Sequence, residues 1–137
     1  MGVQLKSLEV QSTAGLDPAF EAAIMDRVDA LIAAEDYLTF TNQSRIVNFA
    51  AMSRLPAIYP FREFVDAGGL MSYGTDRRDL YRRAAGYIHR IFKGAKPADL
   101  PIEPPRKFEL AINLKTARAM RLTIPPALLQ RADYIVP

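Results

Sequence analysis

Apolar and polar positions along the chain form two kinds of pattern, and together they predict short strands separated by helices. Residues 5–10 alternate apolar with polar side chains, as in a half-buried strand. The continuous apolar run ALIAA at residues 30–34 is typical of a central parallel strand that is buried on both faces. Further strands are predicted at residues 56–59, 70–73 and 108–113. Strands that alternate with helices indicate an α/β fold, with a Rossmann-like parallel sheet and flanking helices.

Capping residues, prolines and glycines give the expected bounds of the helices. Asp17 caps the first helix and Pro18 occupies its first position. Its expected buried stripe contains Phe20, Ala23, Ile24 and Val28. The other helices are predicted from Thr41 or Asn42, over residues 61–67 before Gly68, from Asn113 to residue 120, and from Pro125 to about residue 132. Within the helix at residues 61–67, Glu63 is expected on a solvated face.

The longest helix is predicted over residues 76–93, opened by Asp76 or Asp79. Its expected inner stripe contains Leu80, Ala84, Tyr87, Ile88 and Ile91. The arginines crowded on this helix would suit a phosphate-binding surface. A solvated outer face with an Asp79–Arg83 ion pair is favoured instead, because the net charge of the chain is only +3. Nucleic acid is therefore not the expected partner. A Pro-rich extended connector follows at residues 95–105.

Composition narrows the classes of function that the chain can have. A length of 137 residues favours a single domain, and the absence of cysteine excludes disulfides and thiolate metal sites. The single histidine, His89, lies inside the longest predicted helix and gives little support to a catalytic or metal site. Neither GxxxxGK[ST] nor GxGxxG is present. We therefore expect no enzyme, no metal and no cofactor, and no apolar run is long enough to span a bilayer.

Candidate binding residues follow from a rule of open parallel sheets, in which ligands sit at the carboxyl ends of the strands. The rule selects the loops at Glu35–Asp36, Tyr59–Phe61 and Tyr73–Asp76. Their carboxylates, aromatic rings and helix starts suit a small zwitterion with an ammonium group, a carboxylate and an apolar part. An alternative stays open for each loop, since the aspartates would also serve as helix caps and the tyrosines as core side chains with a wet hydroxyl.

Three motifs give the chain a specific family resemblance. GGLMSYG, GAKPADLP and NLKTA occur in this order within residues 56–133. Together, and at this spacing, they resemble the signature of ABC-transporter substrate-binding proteins. The resemblance implies a type I periplasmic-binding-protein fold, in which two Rossmann-like lobes close on a small-molecule ligand and the closed form is presented to an ABC permease. Relatives of this kind bind amino acids, including aromatic ones.

The resemblance also implies which residues contact the ligand. They correspond here to Asp36, Thr41, Asn42, Tyr59, Phe61, Tyr73, Gly74 and Thr75. The resemblance covers the chain from about residue 3 onward. It implies that residues 1–137 form a single, incomplete C-terminal lobe. The family is periplasmic, but residues 1–10 lack the pattern of a signal peptide, which would leave the chain in the cytoplasm if it is the whole product.

An incomplete lobe would expose surfaces that the rest of the protein normally covers. A parallel strand without its neighbour leaves unpaired backbone groups, and a helix without its sheet leaves a bare apolar stripe. We therefore expect a homo-oligomer, including a dimer formed by exchange of elements between copies. The alternative to a ligand-binding fragment is a truncated remnant that self-associates and binds no ligand.

Overall fold

The computed structural model describes residues 2–137 and contains one five-stranded sheet with flanking helices. The strands are β1 (Leu31–Ile32), β2 (Ala57–Tyr59), β3 (Met71–Thr75), β4 (Phe108–Asn113) and β5 (Tyr134–Val136), and they are adjacent in chain order. β1, β2 and β3 are parallel, β4 is antiparallel to β3, and β5 is parallel to β4. The α/β class is confirmed, whereas the expectation of a wholly parallel sheet is wrong at the β3–β4 pair.

The reversal at β4 has a local cause. A parallel neighbour would require the chain to return to the opposite end of β3 before it pairs. Here the chain leaves β3 and returns to the same end of it, where the Asp76 amide donates to the Lys107 carbonyl at 3.0 Å. β4 therefore starts beside the last residue of β3, with Thr75 opposite Phe108.

The helices flank this sheet and are mostly short. They are α1 (Leu16–Met25), α2 (Tyr37–Thr41), α3 (Gln43–Met52), α4 (Arg62–Asp66), α5 (Arg77–Phe92), α6 (Leu114–Ala119) and α7 (Pro126–Leu129). Single 3₁₀ turns cover Thr13–Gly15 and Pro97–Asp99. Most helix bounds agree with the sequence prediction to within a few residues. Two elements were not predicted, namely α2 and β5.

The main core lies between α1, α3, α4 and strand β2. Its buried members are Leu16, Ile46, Val47, Ala50, Ala57, Tyr59 and Phe64. The Tyr59 and Phe64 rings stack at a centroid distance of 4.9 Å, and both side chains are almost wholly buried. Burial of the large apolar side chains in this cluster stabilises the fold. It also fixes the start of α4, which follows β2 at the carboxyl end of the sheet.

Two glycines are required where they lie. Gly68 ends α4 with a φ of +103°, a conformation that L side chains rarely adopt. At Gly74 a Cβ atom would lie 1.9 Å from the carbonyl oxygen of Pro60. Gly74 lies within β3, which extends beyond the strand predicted at residues 70–73. The missing side chain lets the backbone of β3 approach the loop after β2.

The amino-terminal part of the chain departs most from the sequence prediction. Residues 5–10, all of them described, form no strand and are largely exposed. The run at residues 30–34 gives the short β1, which lies at the edge of the sheet and leaves Ile32 68% exposed. The expected central position is wrong because no described segment pairs with the outer side of β1.

The first helix begins two residues earlier than predicted and is capped differently. Gly15 is its N-cap residue, while the carboxylate of Asp17 forms an ion pair with Arg45. Ala23 is buried and Phe20 packs on the core as predicted, whereas Ile24 is 58% exposed and Leu16, which was not predicted, is buried. Asp17 does not cap the helix, because its carboxylate pairs with a cationic side chain of α3 instead.

The longest helix, α5, is much more exposed than its apolar stripe predicts. None of its residues, which are all described, is buried. It contacts the connector instead, through a Tyr87 hydroxyl that donates to the Pro101 carbonyl and an ion pair between Arg83 and Glu103. The predicted Asp79–Arg83 pair is therefore wrong, since Asp79 lies 3.8 Å from Arg82. Arg83 pairs with Glu103 of the connector instead of with a carboxylate of its own helix.

Candidate functional site

A cleft of about 360 Å³ opens at the carboxyl ends of β2 and β3, beside the start of β4. It is lined by Pro60, Phe61, Arg62, Glu63, Asp66, Gly74, Thr75, Asp76, Arg77, Arg78, Asp79, Arg82, Lys107 and Glu109. Five of these side chains are cationic and five are carboxylates, so their formal charges cancel. A neutral but strongly dipolar cleft favours a zwitterion over a highly charged anion.

The carboxylates that follow β1 and β3 act as helix caps. Asp36 accepts a hydrogen bond from the Leu38 amide at 2.6 Å, and Asp76 accepts from the Arg78 amide at 3.0 Å and the Asp79 amide at 3.2 Å. Asp76 also lies 2.8 Å from the ammonium group of Lys107. The capping alternative for both aspartates is thus present in the structure, and the starts of α2 and α5 are occupied by the chain itself.

The Asp76–Lys107 pair shifts the pKa of both groups. The hydrogen bond from Lys107, followed by that from the Asp79 amide, lowers the pKa of Asp76. The same contact with Asp76 raises the pKa of Lys107. Each group therefore stabilises the charged form of the other. The pair joins the end of β3 to the start of β4 at the edge of the cleft.

Thr41 and Asn42 make local contacts and lie outside the lining of the cleft. The Thr41 hydroxyl donates to the Tyr37 carbonyl at 2.9 Å. The Asn42 side-chain amide donates to the Leu38 carbonyl at 2.9 Å and to the Thr13 hydroxyl at 3.3 Å. These bonds end α2 and fasten it to the turn before α1. A ligand role for either residue stays a prediction.

The two tyrosines selected from the sequence lie in different environments. Tyr59 is 2% exposed, and burial raises its pKa to about 12. Tyr73 is 53% exposed, and its ring stacks on that of Phe108 at a centroid distance of 5.8 Å. Neither side chain lines the cleft, which contains only Phe61, Gly74 and Thr75 from the predicted set. Strand alternation explains the result for Tyr73, because it points to the face opposite that of the buried Ser72.

One cluster at the edge of the cleft was missed by the sequence prediction, and it is centred on Arg77, which lines the cleft together with Phe61 and Glu63. The guanidinium carbon lies 5.1 Å from the ring centroids of both Phe40 and Phe61. The guanidinium also lies 3.2 Å from a Glu63 carboxylate oxygen and 3.3 Å from the Tyr81 hydroxyl. Glu63 was expected on a solvated face, but it pairs with Arg77 while 45% of its side chain stays exposed.

A second cationic side chain closes the other end of the cleft. Arg62 lies 3.5 Å from Asp66 and 3.5 Å from Glu109, and its guanidinium covers the Tyr134 ring at 3.8 Å. Both carboxylates and the ring hold this arginine against the β4–β5 side of the sheet. The two arginines are similarly exposed, at 30% for Arg62 and 33% for Arg77, but Arg62 pairs with two carboxylates and Arg77 with one.

The described residues show no feature of two other kinds of site. No group of three or more histidine, cysteine, aspartate or glutamate side chains among residues 2–137 could hold a metal ion. None of the helices in the described part of the chain is both long and apolar enough to cross a membrane.

Comparison with known proteins identifies the family. The family model "ABC transporter substrate binding protein" matches residues 1–136. The chain belongs to this family. The family model therefore confirms the resemblance inferred from GGLMSYG, GAKPADLP and NLKTA. No curated protein matches the chain.

Solved structures of similar proteins share the fold of this substrate-binding-protein chain. An ABC domain in complex with L-Trp, from Streptococcus pneumonia, is 27% identical, with a TM-score of 0.89 over 98% of this chain and 46% of that one. A conserved domain protein from Vibrio cholerae is 24% identical, with a TM-score of 0.83 over 92% and 42% of the two chains. A ligand-free, open substrate binding protein with adhesive properties, from Clostridium difficile, is 16% identical, with a TM-score of 0.63 over 91% and 41%.

These comparisons also set the extent of the match. The present chain spans less than half the length of each of the three solved chains. The structural likeness confirms an α/β substrate-binding-domain fold. It leaves the ligand, the permease partner and the role of the cleft to be proposed.

Proposed function

We propose that the chain is the C-terminal lobe, or part of it, of a solute-binding component of an ABC-type importer, and that it binds a small molecule such as an amino acid without covalent chemistry. The observation that carries the proposal is the charge-balanced cleft at the carboxyl edge of the sheet, lined by Phe61, Gly74 and Thr75. Such a cleft offers both signs of charge and an aromatic ring within one small space. The L-Trp complex of the Streptococcus pneumonia domain supports an amino acid as the class of ligand.

The proposal assigns this lobe one side of a two-sided site. Since the chain spans 46% of the L-Trp-binding relative, the opposite side would come from the remainder of such a protein. Binding by this chain alone should therefore be weak, because an open surface buries only part of its ligand. An ABC permease as partner and a periplasmic location belong to the same proposal. Residues 95–105 would be a connector within the lobe.

A thermal-unfolding screen tests the proposal. The purified chain is melted with each of the twenty amino acids and several small aromatic acids at millimolar concentration. A ligand that binds only the folded state and is present at ten times its dissociation constant adds about 1.4 kcal/mol, which raises the Tm by a few degrees. A shift confined to one class of ligand supports the proposal. A cooperative melt that no ligand shifts would contradict it.

A second candidate function is self-association without a ligand. The observation that favours it is the pair of uncovered surfaces, namely the apolar side chains of α5 and the outer side of β1. Ile88 is 52% exposed on α5, and Ile32 is 68% exposed on β1. Static light scattering of the purified chain distinguishes the two candidates. A stable oligomer that binds no amino acid would favour this one, and a compact monomer would exclude it.

A nucleic-acid-binding role receives less support from the arrangement of charges. Three of the arginines on α5 have carboxylate partners, namely Glu63 for Arg77, Asp79 for Arg82 and Glu103 for Arg83. Paired arginines release few counterions when they approach a phosphate backbone. We therefore expect no salt-dependent retardation of DNA in a gel.

A further inference from the structure

The contacts of Arg77 arrange its guanidinium as an exposed recognition group. It is held by the Glu63 carboxylate at 3.2 Å and the Tyr81 hydroxyl at 3.3 Å, through different terminal nitrogens. The guanidinium carries five N–H donors in a fixed planar fork, so these two bonds leave several of them uncommitted. The side chain is 33% exposed and lies in the lining of the cleft. Arg77 is thus oriented by the protein and open on one side.

Glu63 has the complementary arrangement. One of its carboxylate oxygens, Oε1, meets Arg77, while 45% of the side chain stays exposed at the cleft. A carboxylate accepts about four hydrogen bonds, so it has capacity for another donor. The pair therefore presents a cation and an anion side by side, both with unused hydrogen-bonding capacity. Because the two charges cancel, the pair attracts a neutral dipole of matching spacing more than it attracts a single ion.

Two aromatic rings adjoin this ion pair. Phe40 and Phe61 meet edge to face, with centroids 6.0 Å apart and planes at 85°. Each ring centroid lies 5.1 Å from the Arg77 guanidinium carbon. Both phenylalanines are only half-buried, so ring surface remains for an apolar group. An ion pair beside an apolar surface matches an amino acid, which has an adjacent ammonium and carboxylate and a single side chain.

From this arrangement we infer that Arg77 binds the carboxylate and Glu63 the ammonium group of a zwitterionic α-amino acid, while Phe40 and Phe61 contact its apolar or aromatic side chain. The inference rests on the proposed function and names the residues that decide ligand selectivity. Arg62 has no such role, because its carboxylate partners and the Tyr134 ring occupy it. A purely structural clasp between α4 and α5 would use the same contacts, so the test must measure selectivity rather than stability.

The experiment compares three ligands that differ only in their charged groups. L-phenylalanine carries both groups, phenethylamine lacks the carboxylate, and 3-phenylpropionate lacks the ammonium group. Isothermal titration gives Kd for each ligand with the wild-type chain and with the variants Arg77→Gln and Glu63→Gln. Arg118→Gln is the matched control, since Arg118 is exposed on α6 and has no ion pair within the described chain.

We expect the wild-type chain to bind L-phenylalanine at least tenfold more tightly than either of the other two ligands. Arg77→Gln should weaken binding of the two carboxylate ligands at least tenfold and leave that of phenethylamine unchanged. Glu63→Gln should weaken binding of the two ammonium ligands and leave that of 3-phenylpropionate unchanged. Arg118→Gln should change none of the three values. Arg77→Lys, which keeps the charge but loses the planar fork, should recover part of the affinity for carboxylates.

Two results would overturn the inference, and they are distinguishable. If the wild-type chain binds L-phenylalanine and the variants weaken all three ligands equally, or none of them, the selectivity roles are wrong while the proposed function stands. If the wild-type chain binds neither these ligands nor any other amino acid, both fail together. Circular dichroism of Arg77→Lys and Glu63→Gln shows that the comparison is made on folded protein.

Discussion

Tyr59 provides a quantitative test of the core, because its titration should make the stability of the protein depend on alkaline pH. The side chain is 2% exposed, and burial raises its pKa from 10.0 to about 12. Burial favours the neutral phenol, so the folded protein holds this proton more tightly than the unfolded chain does. The resulting contribution to stability is fully present below pH 10 and is lost as the pH rises from there through 12. The whole shift is equivalent to about 3 kcal/mol at 1.36 kcal/mol per pKa unit.

The assay is urea unfolding at pH 8 and at pH 11.5, on the wild-type chain and on Tyr59→Phe. At pH 11.5 the linkage relation gives a loss of about 2 kcal/mol in the wild-type chain from this residue alone. All the other ionisable groups are common to the two proteins, so the difference between the two losses isolates Tyr59. Equal losses in the two proteins would show that the phenol reaches solvent in the folded state and that burial does not raise its pKa.

Two further substitutions test positions beside the cleft. Gly74→Ala places a Cβ atom 1.9 Å from the Pro60 carbonyl oxygen, so we expect the free energy of unfolding in urea to fall by about 3 kcal/mol. Gly86→Ala is the control, because nothing lies within 4 Å of a Cβ atom there, and it should not destabilise the protein. If Gly74→Ala changed the free energy of unfolding as little as Gly86→Ala does, the close approach would be contradicted. Asp76→Ala removes a carboxylate whose pKa is lowered by the hydrogen bond from Lys107. The contribution of this carboxylate to stability is present above its pKa in the unfolded chain, and it is lost as the pH falls through its lower pKa in the folded protein. Between pH 6 and pH 3 the Tm of the wild-type chain should therefore fall more than that of the variant. Parallel profiles of Tm against pH would argue against a stabilising Asp76–Lys107 pair.

Local patterns predicted the elements whose determinants lie within a few residues. The strand at residues 108–113 has the predicted bounds, and the Asn113 side chain caps the next helix by accepting from the Thr116 amide at 3.0 Å. The strand pattern and the capping residue lie next to each other in the sequence, so a local pattern is enough to predict both. The direction of the same strand was not predictable, because it depends on where the excursion after Asp76 ends. The pattern of residues 30–34 predicted a strand with two neighbours, but pairing depends on which other segments are present.

The same distinction holds for the candidate site. The rule about strand ends selected Phe61, Gly74 and Thr75, since it needs only the order of strands and loops. It did not select Arg77, because an arginine on a charged helix has the same local pattern whether it faces water or a pair of rings. The burial of Tyr59 was equally hidden. Strand alternation assigns a face to a side chain but does not say whether a helix covers that face.

The Asp76–Lys107 contact has a consequence for how this protein can vary. Both ends of the excursion that contains α5 and the connector meet at this one place, beside antiparallel neighbours β3 and β4. No residue of α5 is buried in the core. In effect the excursion is an insertion in a β-hairpin, whose ends a turn of a few residues could join. Changes in the length or composition of the excursion after the first turn of α5 should therefore leave both the sheet and the Arg77 contacts intact, so that this part of the chain can vary independently of them.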